Sequence, residues 1–459
     1  MTHQQENSIE KKSFPTIKVA LIFLTFFALF LRAAYIQNTV VIAPIRADAK
    51  QYVVYAINLI NHGTFSQEYM VQNPRPDSFR SPGYPLFISA ILLTTGDKYY
   101  KAVQYCQVFL GALMVPLTFL FGRFIMSESA ALVGACLVAL SPHLVSSTSY
   151  VLTETLFGTV FLAGAFFLSL ALEKSRLSIF VLSGIFFGYA YLVNETLFFL
   201  PWFLCLAILY FSSNPEKTNI LKSLTAGPFF RGLVVVLVIF STFSGAWIMR
   251  NRISVGSGPM SSKQRALNTL THGTYPGFIY KDPRYRYFPY REDPEAKEFA
   301  ESTSSFIRIF SRRFREKPLR YLSWYILEKP YYLWSWNILQ GEGDVYIYPV
   351  NKSLYRASRP ANLTRIIMKG LHPVILILTL IGFFLSAKLW FFKGPRPTIP
   401  HLIVLAPILY FTLLYTVFVS WPRYSVPLRP FLYLFSIWTA QTLMGMMRNN
   451  EGTIETNST

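Results

Sequence analysis

The sequence is dominated by long apolar runs, and these runs restrict the class of fold open to it. A helix needs about 20 apolar residues to cross the hydrocarbon core of a bilayer, and we identify ten runs near that length. They cover residues 17–38, 101–125, 129–147, 154–172, 178–194, 196–211, 229–250, 366–390, 399–420 and 424–447. Charged residues make up only 14% of the chain, against about 25% in ordinary globular proteins. We therefore predict an all-α polytopic membrane protein with about 10–12 transmembrane helices.

The basic residues of the short loops predict how the chain is oriented. Lys11, Lys12 and Lys18 flank the first run, which places the N-terminus in the cytoplasm. The other basic loops then fall on the same side, around Arg123, Lys174 and Arg176, Lys217 and Lys222, and Lys388, Lys393 and Arg396. Counting the shorter apolar stretch 84–95 as a span would move these loops outside. We therefore predict that 84–95 is a re-entrant or juxtamembrane helix in the first outer loop.

The predicted spans divide the chain into five parts. These are a cytoplasmic tail (1–16), an N-terminal transmembrane region (17–250) with a first outer loop (39–100), an outer loop domain (251–365), C-terminal transmembrane helices (366–447) and a second tail (448–459). The outer loop domain carries 19 of the 43 Lys and Arg residues. Its stretch 319–339 mixes charges with Trp and Tyr, which suits a helix at the level of the lipid headgroups. The net charge of +20 is thus explained by basic loops that orient the chain in the bilayer and by a basic face that suits lipid phosphate. We predict no nucleic-acid partner.

Three carboxylates lie at the predicted outer ends of spans. Asp48 stands between Arg46 and Lys50, and these cations favour its ionised form, which suits a general base. Glu154 begins a span on the same face, so the two carboxylates point to one cavity. The alternatives are a surface Asp paired with its neighbours and a Glu that stabilises a helix start. For Glu195 we favour the helix-start role.

Several cations are predicted on the same face. Arg80 precedes a turn-rich stretch, Arg250 follows a span, and Arg423 with Tyr424 lies at another outer end. Guanidinium groups suit phosphate recognition, so together they predict a site for an anionic lipid headgroup. Snorkelling to the membrane interface is the alternative for any single arginine. His272, in the outer loop domain, is a further candidate for substrate contact.

The sequence offers little support for cofactor chemistry. Its three cysteines lie inside apolar runs without the spacing of a disulfide framework or a zinc site. Gly-rich phosphate loops, G-x-S-x-G and HExxH are absent. We predict no cofactor and no metal ligands, a divalent metal being unsupported. Because the outer face of a membrane holds no ATP or sugar nucleotide, a group donor there has to be carried by a lipid.

Five short motifs occur between residue 46 and about 435: RADAKQY, FRSPGYPLF, SYVLTETLFG, WIMRN and RYSVPLRPFLYLF. By these motifs and their order, the chain resembles bacterial membrane glycosyltransferases of the GT-C class. Within that class it is similar to the family 39-like group of protein-mannosyltransferases and aminoarabinose transferases.

The resemblance implies transfer of a sugar from a polyprenyl-phosphate carrier to a glycan, lipid or protein acceptor. It implies a bacterial inner (plasma) membrane protein with its active site on the periplasmic side. Asp48 would be the general base of an inverting reaction, and Glu154, in the second acidic motif, would be a further catalytic residue. The implied substrate and phosphate contacts are Arg46, Arg80, Tyr84, Arg250, His272, Arg423 and Tyr424. Some members have a metal-binding Glu in the first loop where this chain reads Phe79-Arg80-Ser81, which argues against a metal there.

Two other classes remain open at the level of sequence. One is a lipid or solute transporter, and the other is a non-catalytic membrane assembly factor. Transporters place ionisable groups near the midplane in broken helices, whereas the carboxylates of this chain lie at the outer ends of its spans.

Overall fold

The computed structural model describes residues 15–212, 229–255, 261–339, 341–391 and 398–456. Its helices in the first half are α1 (Pro15–Asn38), α2 (Ala47–His62), α3 (Gly83–Thr95), α4 (Tyr99–Gly122), α5 (Glu128–Leu140), α6 (Pro142–Ser147), α7 (Glu154–Lys174), α8 (Leu177–Val193), α9 (Leu200–Ser212) and α10 (Phe230–Ser254). The second half contains α11 (Ser262–His272), α12 (Ala296–Phe299), α13 (Thr303–Glu316), α14 (Pro318–Ser323), α15 (Lys329–Trp334), α16 (Leu354–Ala357), α17 (Arg359–Phe391), α18 (Ile399–Val417) and α19 (Arg429–Thr456).

The remaining regular structure is short. Single-turn 3₁₀ helices occur at Gly96–Lys98, Glu195–Leu197, Pro276–Phe278, Pro283–Tyr285 and Pro289–Arg291, a longer one at Pro422–Leu428, and a π turn at Trp324–Glu328. Strand β1 (Val40–Val41) pairs antiparallel with β2 (Val350–Lys352). This small ribbon ties the start of the first outer loop to the end of the outer loop domain.

The helices have the length and hydropathy of a polytopic membrane protein. Within the described residues, seven helical segments can cross a membrane, and the apolar helices Glu128–Leu140 and Leu177–Val193 are shorter. The seven are Thr16–Asn38, Gly83–Gly122, Glu154–Lys174, Glu195–Ser212, Phe230–Ser254, Arg359–Leu389 and Ile399–Val417. The predicted all-α polytopic membrane fold is thus confirmed. Most of the predicted tail 1–16 and the basic loop residues Lys217, Lys222, Lys393 and Arg396 lie outside the described residues.

The apolar run 129–147, predicted as one span, is divided in two. Helix α5 ends at Leu140 and α6 begins at Pro142, because proline lacks an amide donor and disfavours helical geometry in the residue before it. The carbonyls freed by this break are not left unpaired. Arg32 of α1 is fully buried and donates to the carbonyl oxygens of Val138 (3.0 Å) and Ala139 (3.3 Å).

Residues 39–100, predicted as the first outer loop, contain two helices that pack on the neighbouring apolar helices. Gly63, at a φ of +63°, ends α2 in the left-handed conformation that glycine adopts without strain. The predicted helix 84–95 is present as α3, which packs against α2, α4 and α8. At Gly83 a Cβ atom would lie 2.7 Å from the backbone of Leu192, so glycine permits the close approach of α3 to α8.

A buried cluster joins the outer loop domain to the segment before α19. Phe278, Trp324, Val419 and Trp421 form this buried cluster, and the ring centroids of Phe278 and Trp421 stack 4.3 Å apart. Buried Lys329 donates from Nζ to the carbonyl oxygens of Thr416 and Phe418, each at 2.7 Å. The end of α18 and the start of Pro422–Leu428 are therefore fixed by the outer loop domain.

The stretch 319–339, predicted to lie at headgroup level, is helical over most of its length. It consists of α14, the π turn and α15. One side packs inward through Tyr321 and Trp324, whereas the opposite side exposes apolar side chains. The exposed ones are Leu319, Leu322, Ile326, Leu327 and Tyr331.

Candidate functional site

A cavity of about 470 Å³ lies where the first outer loop, the start of α7 and the outer loop domain meet. This volume is in the range of small-molecule sites, which run from about 300 to 1,000 Å³. Its charged and hydroxyl-bearing lining residues include Asp48, Tyr52, Arg80, Glu154, Glu195, Lys263, Arg265, Arg423 and Tyr424. Its apolar and aromatic lining residues include Phe198, Phe199, Tyr410, Leu414, Tyr415 and Phe418.

Asp48 lies in the first turn of α2 and faces the cavity between two guanidinium groups. Arg80 Nη2 donates to Asp48 Oδ1 at 2.6 Å, and Arg423 Nη2 donates to Oδ2 at 3.0 Å. Burial alone would raise the pKa of the Asp48 carboxyl, but the charges and hydrogen bonds of Arg80 and Arg423 hold that pKa well below its usual range. Asp48 is therefore an ionised carboxylate whose two oxygens are both engaged.

Arg423 also joins Asp48 to the second predicted carboxylate. Its Nε donates to Glu154 Oε1, in the first turn of α7. Glu154 is 5% exposed, and its Oε2 has no hydrogen-bond partner among the described residues. The structure thus brings Asp48, Arg80, Glu154 and Arg423 together as a network with two carboxylates and two guanidinium groups.

Arg80 is fixed by more than its ion pair. Its Nε donates to Gln51 Oε1 at 2.6 Å, and its guanidinium carbon lies 5.3 Å from the ring centroid of Tyr52. Gln51 and Tyr52 follow Asp48 on α2. The same helix therefore carries the carboxylate and orients the arginine that binds it.

A second charged pair, which sequence reasoning did not find, lies on the same cavity wall. Arg265 of α11 pairs with Glu195, and both line the cavity. Asn194 caps the turn by accepting from the amide of Thr196, so Glu195 is free for this pair. Burial lowers the pKa of Arg265 to about 10.

Lys263, in the first turn of α11, adds a further cation to the cavity lining. Among the described residues it forms no ion pair, in contrast to the cavity arginines. The lining thus carries four cations (Arg80, Lys263, Arg265 and Arg423) against the carboxylates Asp48, Glu154 and Glu195. This excess of one positive charge favours an anionic ligand.

Two predicted contacts from the first outer loop lie outside the cavity lining. The guanidinium of Arg46 packs over the ring of Tyr348, 4.9 Å from its centroid. Tyr84 is fully buried, donates to Gln107 Oε1 at 2.9 Å and packs edge-on against Tyr52. Neither residue lines the cavity; Tyr84 supports Tyr52, which does.

Arg250 and His272 also lie outside the cavity lining. Arg250 donates to the carbonyl oxygens of Asp77 (2.5 Å) and Phe65 (3.2 Å), so it fastens the first outer loop to α10. His272 Nε2 bonds the carbonyl oxygen of Tyr287 at 2.9 Å, and its ring packs 5.3 Å from Trp421. Burial lowers the pKa of His272 to about 4.

Tyr424 continues the aromatic wall beside Arg423. Its ring stacks on Tyr415 with centroids 4.8 Å apart, and both residues line the cavity. The predicted residues that line the cavity are therefore Asp48, Arg80, Glu154, Arg423 and Tyr424.

The cavity residues do not fit a divalent metal ion. The described residues contain no group of three or more His, Cys, Asp or Glu side chains arranged to hold one. Both oxygens of Asp48 bind guanidinium groups, and Arg80 brings a positive charge to that carboxylate. The arrangement instead suits an acid-base step beside an anion, because it combines an ionised carboxylate, several cations and an apolar wall.

Residues 79–246 match the dolichyl-phosphate-mannose-protein mannosyltransferase family. No curated protein matches the chain.

Two solved structures of similar fold come from Archaeoglobus fulgidus. One is an archaeal oligosaccharyltransferase in complex with an inhibitory peptide and a dolichol-phosphate; it has 13% identity and a TM-score of 0.52, and the match covers 96% of this chain and 52% of that one. The other is the oligosaccharyltransferase complex with Zn and sulfate, with 14% identity, a TM-score of 0.51 and coverage of 93% and 49%. The chain thus spans about half the length of these proteins.

The resemblance to the GT-C class is confirmed at the level of the fold. The chain is a multi-pass membrane protein with the fold of the GT-C glycosyltransferases, and its residues 79–246 match the dolichyl-phosphate-mannose-protein mannosyltransferase family.

Proposed function

We propose that this protein transfers a sugar from a polyprenyl-phosphate carrier to an acceptor on the outer face of the membrane. One observation carries the proposal: Asp48 is held ionised between Arg80 and Arg423 at a cavity that also has an apolar wall. A carboxylate, an anion site and a surface for a hydrocarbon chain are the three features that such a transfer needs. The dolichol-phosphate bound by the oligosaccharyltransferase of similar fold supports a polyprenyl-type carrier.

Asp48 acts as the general base in this proposal. It accepts the proton of the acceptor hydroxyl while that oxygen attacks the anomeric carbon, and the bond from this carbon to the phosphate oxygen breaks. A single displacement inverts the anomeric centre. While both arginines bind Asp48, they make it a weak base. Binding of the donor phosphate to the same arginines draws positive charge away from Asp48 and raises its basicity when the acceptor is present.

The cations stabilise the departing lipid phosphate. Arg423 lies beside Asp48, and Lys263 and Arg265 face the same cavity from α11. Fixed positive charges in a partly dry site stabilise the negative charge that develops in the transition state more than they stabilise the ground state. Glu154 has a positioning role, because it binds Arg423 and orients that guanidinium toward Asp48.

The apolar wall accommodates the start of the polyprenyl chain. This wall includes Phe198, Phe199, Leu414 and Phe418. Phe199 is 54% exposed and leads along α9 to the exposed side chains of Trp202 and Phe203. An isoprenoid chain can therefore leave the cavity between α9 and α18 toward the lipid.

The predicted orientation makes this face periplasmic in a bacterial inner membrane. Basic loops on the opposite side support that orientation. The donor is a hexosyl or pentosyl lipid, and the acceptor is a glycan, a lipid or a protein on the same side.

Reconstitution with a labelled polyprenyl-phosphate sugar tests the proposal. We expect label to move to an acceptor in a membrane extract while free polyprenyl phosphate appears in equal amount. A transporter would move the donor lipid with its sugar bond intact, and an assembly factor would leave the donor unchanged. Either outcome would overturn the assignment as a transferase.

Binding of polyprenyl phosphate tests the anion site separately. Lys263→Gln should weaken binding roughly tenfold, because a charge-assisted contact to phosphate is lost. Lys281→Gln is the matched control, since Lys281 is exposed in the same outer domain but does not line the cavity. Equal effects of the two variants would count against a phosphate site at α11.

A further inference from the structure

A second cavity, of about 590 Å³, lies beside the C-terminal helices. It is a groove between the segment 330–336 and helices α17, α18 and α19. Helix α18 contributes Leu405, Ile408 and Leu409 to this groove but Tyr410 and Leu414 to the candidate site. The two cavities share no lining residue, so α18 separates them.

The groove has the length and lining of a site for a hydrocarbon chain. Helix α17 lines it from Lys369 to Phe383, which is about 21 Å at 1.5 Å per residue. One leaflet of the hydrocarbon core is about 15 Å deep. Below its outer end the lining is formed by apolar side chains such as Leu376, Leu432 and Phe435. A single acyl chain therefore fits along the groove, parallel to α17.

The outer end of the groove carries positive charge. Lys369 is exposed there and forms no ion pair among the described residues. Arg429 is 1% exposed, and its Nε and Nη1 have no hydrogen-bond partner among the described residues. Its guanidinium carbon lies 6.0 Å from the ring of Trp336, which lines the groove. A buried arginine without hydrogen bonds at two nitrogens attracts a negative group to this end.

We propose that this groove binds one anionic glycerophospholipid, with an acyl chain along α17 and the phosphate at Lys369. The lipid is not the sugar carrier, since α18 stands between the groove and Asp48. It bears on the candidate site indirectly, because α15 forms part of the groove wall. Helix α15 begins at Lys329, whose ammonium binds the last carbonyls of α18 ahead of Arg423.

Native mass spectrometry of the full chain in detergent tests the proposal. The probes are dioleoyl phosphatidylglycerol, which is anionic, and dioleoyl phosphatidylcholine, which is zwitterionic. We expect one phosphatidylglycerol to be retained under conditions that release phosphatidylcholine. Lys369→Gln should weaken retention of phosphatidylglycerol roughly tenfold and abolish the preference.

Two tryptophan variants locate the lipid. Leu376→Trp fills the groove and should abolish retention, whereas Leu371→Trp, on the exposed lipid-facing side of α17, should not. Lys388→Gln, near the other end of α17, is the control for charge. Retention by the groove-filled variant, equal retention of both lipids, or an unchanged Lys369→Gln variant would overturn the proposal. Displacement of phosphatidylglycerol by polyprenyl phosphate would overturn it too, because the groove would then belong to the carrier.

Discussion

Replacing Arg423 by methionine removes the one cation that Asp48 and Glu154 share. The change keeps a long unbranched side chain but deletes the hydrogen bonds to both carboxylates. Asp48 keeps its ion pair with Arg80 at 2.6 Å. Glu154 loses its one ion-pair partner among the described residues while remaining buried.

The expected loss of stability follows from the burial of Glu154. Removing one member of a buried ion pair costs about 3–5 kcal/mol, because the remaining charge is left uncompensated. Because Asp48 keeps Arg80 as an ion-pair partner, we expect a loss at the lower end of that range, about 3 kcal/mol. Adding Glu154→Gln to Arg423→Met removes the stranded charge and should restore about 1–2 kcal/mol.

Unfolding of the purified protein in mixed micelles by a denaturing detergent measures both variants. The coupling free energy from the double-mutant cycle isolates the interaction of Arg423 with Glu154. A loss below about 1 kcal/mol for Arg423→Met, or a double variant less stable than Arg423→Met alone, would refute the buried network.

Three further predictions concern the surrounding scaffold. Burial lowers the pKa of His272 to about 4, so between pH 6.5 and 4 the unfolded chain binds more protons than the folded protein. The free energy of unfolding should therefore drop by about 3 kcal/mol as the pH falls through that window. A pH series on His272→Phe should lack this loss. Lys329→Met leaves carbonyls at the end of α18 without their donor, and thermal unfolding should show a loss of about 2 kcal/mol; an unchanged midpoint would contradict it. Gly83→Ala should lose about 1–3 kcal/mol through the clash with Leu192, whereas Gly245→Ala, with open space at its Cβ, should not.

The core of the candidate network could be predicted from the sequence. Asp48, Glu154, Arg80 and Arg423 are charged residues at the outer ends of apolar runs, and the positive-inside bias placed those ends on one side. A charged side chain near the membrane costs free energy, so its presence at the end of a span indicates a functional role. The predicted topology puts these four residues on one face, and the structure joins them by ion pairs.

Two other predicted arginines do not line the cavity, because the packing of distant segments places their guanidinium groups elsewhere. Arg250 resembles Arg423 in sequence, but backbone carbonyls of the first outer loop occupy its guanidinium. Arg46 immediately precedes the helix that carries Asp48, yet its guanidinium packs over Tyr348 of the outer loop domain. Which acceptor an arginine meets depends on the packing of distant segments, which spacing does not encode.

The missed residues lie on a polar helix. Lys263 and Arg265 belong to α11, which carries no apolar run and stands within a domain rich in basic residues. A search for charges at the ends of spans cannot select them.

By contrast, the division of the run 129–147 had a visible signal in Pro142, which the apolar character of the run obscured.

The most direct test of Asp48 as the base compares transfer with carrier binding in Asp48→Asn. The amide keeps the shape of the side chain but cannot accept the proton of the acceptor hydroxyl. Transfer should fall by about 10²–10⁴-fold, while binding of polyprenyl phosphate stays equal or tightens because Arg80 and Arg423 lose a competing charge. Asp97→Asn, in the turn Gly96–Lys98 outside the cavity, should behave as the wild type. Transfer by Asp48→Asn at the wild-type rate would contradict the account.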